Sequence, residues 1–318
     1  MTSEARLQPT AGDGVAFGPR TAHTVSATDL AANDGANADF ESFGPPSITV
    51  GAAADPTPVV TTQFVRFTGA ESRVIDDGLI AEIRLAIHVD GRELVQLMCS
   101  PHQLSALVVG FLSLEGAIEG YDDIESIRIC AADRIAEVRL ARPMRELPSR
   151  RIVTSGCTGG LSFGAYLDDM ESLRLPADDV RVRAGCLYRL LRELYDRADL
   201  YRQSGGVHTS LLADAPGQVL AVAEDIGRHN TIDKLHGLSL LRGFEARGGI
   251  IVASGRISSE MLLKAAIMGV PVVASRTSPT QLAVELGERL GITVVGYLRS
   301  ASMNVYTHPH RIVGERTA

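Results

Sequence analysis

The sequence predicts an α/β protein with a small N-terminal α/β domain and a second, three-layer α/β/α domain built on a mixed sheet. Two observations predict it. From residue 184 onward, short apolar runs alternate with segments whose apolar residues recur every three or four positions. A hairpin precedes that alternation, so the second sheet is mixed, with helices on both faces. A chain of 318 residues, 45% hydrophobic, has room for two such units.

Residues 1–60 are rich in Ala, Gly, Asp, Thr and Pro, follow neither a strand nor a helix period, and are expected to form a disordered extension. The first domain, 61–150, begins where that texture ends. Leu79 to Val89 carries alternating apolar residues, Asp90-Gly91 is a two-residue hairpin signal, and Leu94 to Cys99 is the returning strand. Ser100-Pro101 opens a helix over His102 to Glu115, with Leu104, Leu107, Val108, Phe111 and Leu112 on one apolar face. A second hairpin, 124–130 with 135–140, follows, and a Pro- and Arg-rich connector leads out over 141–151.

The second domain, 151–318, has a cleaner rhythm. A helix is predicted over 184–201, with Leu187, Leu190, Leu191 and Leu194 on one face. Strands 207–213 and 219–223 follow as a hairpin, then helix 231–242, strand 249–253, helix 258–268, strand 270–275, helix 280–290 and strand 292–298. No internal repeat is visible.

Composition narrows the function. No apolar run approaches the roughly 20 residues that span a bilayer, and the N-terminus lacks the apolar centre of a secretory signal, so a cytoplasmic protein is expected. A net charge of −7, no Trp and 5% aromatic residues argue against a nucleic-acid partner. Cys99, Cys130, Cys157 and Cys186 contain no CxxC or CxxH spacing, which fits neither a disulfide framework nor a zinc site.

The densest chemistry lies in Glu224-Asp225-Ile226-Gly227-Arg228-His229-Asn230-Thr231-Ile232-Asp233-Lys234, between a predicted strand and a predicted helix. Open α/β sheets place ligands at such junctions. An ordinary alternative reads Asn230 and Asp233 as helix capping and Lys234 as a solvated helix residue. It leaves Asp225, Arg228 and His229 crowded into one turn without a reason.

Two further strand-to-helix turns repeat the theme. Ser254-Gly255-Arg256 precedes a helix start at Ser258 and Glu260, and Arg276-Thr277-Ser278-Pro279 precedes a cap at Thr280 or Ser278. Parallel strands bring such turns to one rim, which suggests a pocket for an anion. His208, in Gly205-Gly206-Val207-His208-Thr209, stands at the start of a strand, where a hydrogen-bonded core histidine and a functional base are both open readings. Cys157 lies in Thr154-Ser155-Gly156-Cys157-Thr158-Gly159-Gly160, whose glycines let peptide N–H groups approach a thiolate; the alternative is a hinge that happens to hold a small Cys.

Taken together, these segments resemble the FdhD family of formate dehydrogenase accessory sulfurtransferases. The resemblance runs from about Arg66 to His308. It is carried by Cys99-Ser100-Pro101-His102-Gln103-Leu104, Val109 to Gly116, the Cys157 loop, the His208, Glu224 to Lys234 and Arg256 segments, Ser278-Pro279-Thr280, Gly296-Tyr297-Leu298-Arg299 and Asn304-Val305-Tyr306.

It implies a homodimeric sulfur carrier that takes sulfur from a cysteine desulfurase as a Cys157 persulfide. The sulfur passes to the bis(molybdopterin guanine dinucleotide) cofactor, in its molybdenum or tungsten form, before the formate dehydrogenase catalytic subunit receives it. The resemblance further implies a cytidine-deaminase-like fold for the second domain, with no tightly bound metal of its own. The expected cofactor-binding residues are Asp225, Arg228, His229, Arg256, Val294, Val295, Gly296, Tyr297, Leu298 and Arg299. Arginines would hold diphosphate oxygens and a carboxylate would read guanine N1 and N2.

One departure bears on mechanism. Many members carry Cys-x-x-Cys in the loop, and here Gly160 stands where the second cysteine would be. A single sulfur still supports persulfide carriage, but release through a local disulfide is lost. The rival readings are a cofactor chaperone without sulfur transfer, and a hydrolase on this scaffold using His208 or His229 as base.

Overall fold

The computed structural model describes residues 23–25, 47–50, 57–130, 134–144 and 170–314. The smaller half is a six-stranded sheet of β1 (His23–Val25), β2 (Ser47–Val50), β5 (Ile83–Val89), β6 (Arg92–Cys99), β7 (Ile124–Cys130) and β8 (Ile135–Leu140), in the order β1-β2-β7-β8-β5-β6. Ile83, Leu85, Ile87 and Val89 alternate with more exposed neighbours, so β5 presents one apolar face. That face joins Leu97, Ile127, Ile129 and Val138 beneath α1 (Leu104–Leu114). The Asp90-Gly91 turn has φ of 49° and 78°, the pair of positive angles a two-residue hairpin requires.

Three expectations are corrected here. Within the stretch expected to be disordered, β2 pairs in parallel with β7, Ser47 opposite Ser126, and β1 pairs with β2. The strand expected over 79–89 is two strands, because β3 (Val59–Thr68) and β4 (Glu71–Ile80) form a separate antiparallel hairpin, closed at its base by Ala81 N–H donating to Pro58 O at 2.7 Å. Its outer half stands in solvent, with Phe67 72% exposed. The helix at Ser100-Pro101 begins later, at Leu104, because Ser100 bonds to the second half of the chain instead of capping.

The larger sheet runs β11-β10-β12-β13-β14-β15, from β10 (His208–Ala213), β11 (Val219–Asp225), β12 (Ile250–Ala253), β13 (Val272–Ser275), β14 (Thr293–Gly296) and β15 (Asn304–Val305). β12, β13 and β14 are parallel, and β10 is antiparallel to both its neighbours. Successive residues point to opposite layers. Leu211, Ile250, Val252, Val272, Ala274 and Val295 pack with α2 (Ala184–Asp196); Leu212, Ile251, Ala253, Val273 and Val294 pack with α4 (Arg228–Arg242), α5 (Ser259–Ile267) and α6 (Gln281–Leu290). This is the α/β/α arrangement expected, since buried strands must be apolar on both faces.

The predicted helix 184–201 is two helices, α2 and α3 (Asp199–Ser204). Glu224 causes the break: its carboxylate accepts from the N–H groups of Leu200 and Tyr201 at 2.8 and 2.9 Å, capping a new helix start. β9 (Val182–Arg183) pairs with β16 (Ile312–Val313) beside it.

The two halves are joined through α1 and α4. Every residue of α1 except Ser105 is buried, because the small sheet covers one side and α4 the other. The helices meet backbone to backbone. A Cβ on Gly110 would overlap the Asp233 carbonyl, and one on Gly237 would overlap that of Ala106.

Candidate functional site

The parallel strands, together with β11, end on one rim, where β10 begins. His208, Asp225, the Ser254-Gly255-Arg256 turn, the Arg276-Thr277-Ser278 turn and the Tyr297-Leu298-Arg299 segment therefore lie along a single edge. Backbone bonds lace them together: Arg276 N–H donates to Ala253 O at 3.2 Å, Ile257 N–H to Ser278 O at 3.3 Å, and Tyr297 N–H to Thr277 O at 2.9 Å. Ser275 Oγ adds a bond to Gly255 O at 2.6 Å. Ser258 Oγ accepts from Met261 N–H at 3.3 Å and Thr280 Oγ1 from Ala283 N–H at 3.2 Å, so both helices start at the caps the sequence offered. The rim is thus fixed before a ligand arrives.

Four arginines lie along it. Arg228 is half-buried, and Arg256, Arg276 and Arg299 are exposed. Arg299 is braced, its Nη1 donating to the carbonyls of Leu298 and Arg276, and the Arg276 guanidinium lies 5.8 Å from the Tyr195 ring. Tyr297 is 45% exposed and holds φ of 50°, a left-handed angle unusual for a residue with a Cβ.

The carboxylates turn inward. Asp225 Oδ1 accepts from Gly227 N–H and Asn230 Nδ2, each at 2.8 Å; Oδ2 accepts from Ser100 N–H at 3.1 Å and Lys234 Nζ at 2.6 Å. Four donors fill its acceptor positions, so Asp225 is bound into the scaffold and has nothing left for a guanine. Asn230 does not cap α4. Its side chain also reaches Met98 O at 2.9 Å, and Gly227 is the residue before the helix. Lys234 is fully buried, not solvated.

His229 likewise sits beneath the rim. Its Nε2 is 2.7 Å from Ser258 Oγ and its Nδ1 faces Glu260 at 3.7 Å, with the ring 2% exposed. Burial depresses it to about 4, against the opposing pull of Glu260. Val294, Val295 and Leu298 are buried in the two core layers, so they set the backbone carrying Tyr297 and Arg299 and present no side chain to the rim. Gly296 is buried where a Cβ would press on Pro279. Of the expected residues, Arg228, Arg256, Tyr297 and Arg299 share the rim; Asp225, His229, Val294, Val295, Gly296 and Leu298 support it.

Cys157 lies outside the described residues. Among the other thiols, Cys99 is buried and pushed up to about 12 by burial, then by Asp225. Cys186 is half-buried, with Arg189 Nη2 donating to its sulfur at 3.6 Å, and burial raises it despite that arginine. Cys130 is half-buried.

A second buried cluster leaves little trace in the sequence. Lys264 Nζ donates to both oxygens of Asp233, at 2.7 and 2.9 Å, and lies 3.4 Å from Glu260. Burial opposes the Lys264 charge, but Asp233, Glu260 and Glu115 outweigh it and hold the ammonium above its ordinary value. Burial pushes Asp233 up to about 7. Glu260 and Lys264, four apart on a helix, look like a surface pair in the sequence.

Comparison with known proteins places this architecture among relatives. The FdhD/NarQ family model matches residues 80–313. The sulfur carrier protein FdhD of Geobacillus kaustophilus is 39% identical over 83% of this chain and 98% of its own length. That of Bacillus subtilis is 36% identical over 78% and 95%. Among solved structures, a formate dehydrogenase accessory protein from Desulfotalea psychrophila superposes with a TM-score of 0.65 at 27% identity, covering 80% of this chain and 99% of that one.

Proposed function

The chain belongs to the FdhD/NarQ family, and from that premise we propose that it is a sulfur carrier for formate dehydrogenase maturation whose rim holds a phosphate-bearing cofactor as cargo. The observation that carries the cofactor half of this reading is the division of charge. Arg228, Arg256, Arg276 and Arg299 are ranged along the rim, while Glu224, Asp225, Asp233 and Glu260 are bonded inward. Such an edge attracts diphosphate oxygens, and arginine binds them with charge-assisted bonds.

The cargo in this reading is the bis(molybdopterin guanine dinucleotide) cofactor, with molybdenum or tungsten. Arg228 and Arg256 hold phosphate, Arg299 fixes the last turn, and Tyr297 offers an exposed ring to a base. Guanine preference rests on the family resemblance. Cys157 supplies the sulfur chemistry: its thiolate attacks the terminal sulfur of a cysteine desulfurase persulfide, a new S–S bond forms as the old one breaks, and the desulfurase departs as a thiolate. The family resemblance also brings into this reading a cytoplasmic homodimer that meets the formate dehydrogenase catalytic subunit.

A second reading is favoured by Gly160, which removes the thiol that would release sulfur through a local disulfide. The protein then binds and delivers cofactor without carrying sulfur. Mass spectrometry after incubation with a cysteine desulfurase and cysteine separates the two. One added sulfur on wild type, absent from Cys157→Ala, supports carriage; its persistence in that variant overturns it. Calorimetry with GDP tests the rim: Arg256→Ala should weaken binding by roughly 1.5 to 3 kcal/mol. Equal affinity, or indifference between GDP and ADP, would remove the guanine-nucleotide site from this edge.

A further inference from the structure

His208 belongs to none of the roles assigned so far, yet it opens β10, the strand between β11 and β12, on the rim. Its ring lies against Gly255. A Cβ there would come within 3.1 Å of His208 Nδ1 and 3.2 Å of Arg228 Cβ, so the glycine leaves room for an imidazole beside the arginine. The charged and titratable groups facing it are Arg228 and His229 from α4, Arg256 from the turn after β12, and Asp225 from β11.

Those neighbours set the sign of the local field. Asp225 is directly opposite in the strand pair but already compensated by Lys234. Burial, then Arg228 and Arg256, hold the His208 imidazole below its ordinary value against Asp225, so it is neutral at pH 7 when the rim is free. An arginine beside it stays charged whatever binds. An imidazole does not, and an anion docking between the two arginines reverses the field it feels. One negative charge about 5 Å away, at an effective dielectric near 20, raises its proton affinity roughly a hundredfold.

We infer that His208 is a proton-linked ligand of the rim: it takes one proton from solvent when a diphosphate docks between Arg228 and Arg256, and returns it on release. The inference rests on the anion-binding reading above and adds its control. Release is favoured as pH rises, without any movement of the scaffold.

The test uses the full chain and GDP-mannose, a diphosphate diester whose phosphates do not titrate near neutrality. Calorimetry in two buffers of different ionisation enthalpy should give net proton uptake that rises towards one per site at the pH of greatest linkage, with affinity falling about tenfold between pH 6 and pH 8. His208→Gln should bind with no uptake and a flat pH profile. In wild type, the histidine ring resonance that this variant lacks should shift its titration midpoint upward on adding GDP-mannose. Binding without uptake, or a wild-type pH profile in His208→Gln, overturns the role of His208 and leaves the anion site standing. Absence of binding at either pH overturns the anion site and this inference with it.

Discussion

Lys234 Nζ lies 2.6 Å from Asp225 Oδ2, and neither side chain reaches solvent. The pair is anchored further: Lys234 also donates to Glu224 O at 2.9 Å, and Asp225 accepts from Ser100 N–H across the boundary between the two halves. Removing one partner leaves a buried charge uncompensated, which costs about 3 to 5 kcal/mol. Asp225→Ala is expected to lose that much in urea unfolding. A loss under about 1 kcal/mol would mean that the pair is solvated in solution.

The contact between α1 and α4 predicts a second effect. Gly237→Ala forces the new Cβ into the Ala106 carbonyl, and backbone cannot rotate away as a side chain would. Overpacking of this kind typically costs 1 to 3 kcal/mol or more. Calorimetric unfolding should show a lower midpoint for Gly237→Ala and for Gly110→Ala, whereas Phe67→Ser, on the exposed hairpin, should stay within about 0.5 kcal/mol of wild type. An unchanged midpoint for both glycine variants would show that the helices are further apart.

Acid should destabilise the fold. Burial lowers His102, His229 and His236 from 6.5 to about 4, so between those values the unfolded chain binds more protons than the native one. Each imidazole contributes stability that is complete above pH 6.5 and lost as pH falls towards 4. Asp233, raised from 3.8 to about 7, acts oppositely: its contribution falls as pH rises through that window. Three histidines outweigh one aspartate, and the urea midpoint is expected to drop from pH 7.5 to pH 5, by less in His236→Gln. A midpoint that rises on acidification would contradict the burial of these rings.

Thiol reactivity offers a separate measurement. With its thiol pushed up to about 12, Cys99 has almost no thiolate at neutral pH and no route to solvent. Iodoacetamide should leave it unmodified in the native protein and label it fully in guanidinium. Labelling of Cys99 at the rate of an exposed thiol would place the segment from β6 to α1 outside the core.

Much of the second half was legible because its strands are buried on both faces and two of its helices, α5 and α6, start at hydroxyl caps. Runs such as Ile250-Ile251-Val252-Ala253, followed by Ser258, admit few other readings. The parallel order of β12, β13 and β14 then brought Arg256, Arg276 and Arg299 to one edge, with Arg228 just past the end of the antiparallel β11 beside them. Misreadings arose where a polar side chain bonds to a distant segment. Glu224 splits a helix that is periodic in sequence, and Ser100 bonds to the turn after β11. Neither periodicity nor spacing encodes such partners. The hairpin of β3 and β4 escaped notice because Val65, Phe67 and Val74 are exposed, so no burial pattern marks it.

The glycine contact between α1 and α4 limits how the two halves can be recombined. Positions 106, 110, 233 and 237 form one lock whose tolerance is set by main-chain atoms of the opposite helix, so a change on either side must be answered on the other. The two halves are therefore exchangeable between proteins only as a matched pair. A chimera that takes residues 1–150 from one relative and the remainder from another will fold only when both donors supply helices that approach this closely.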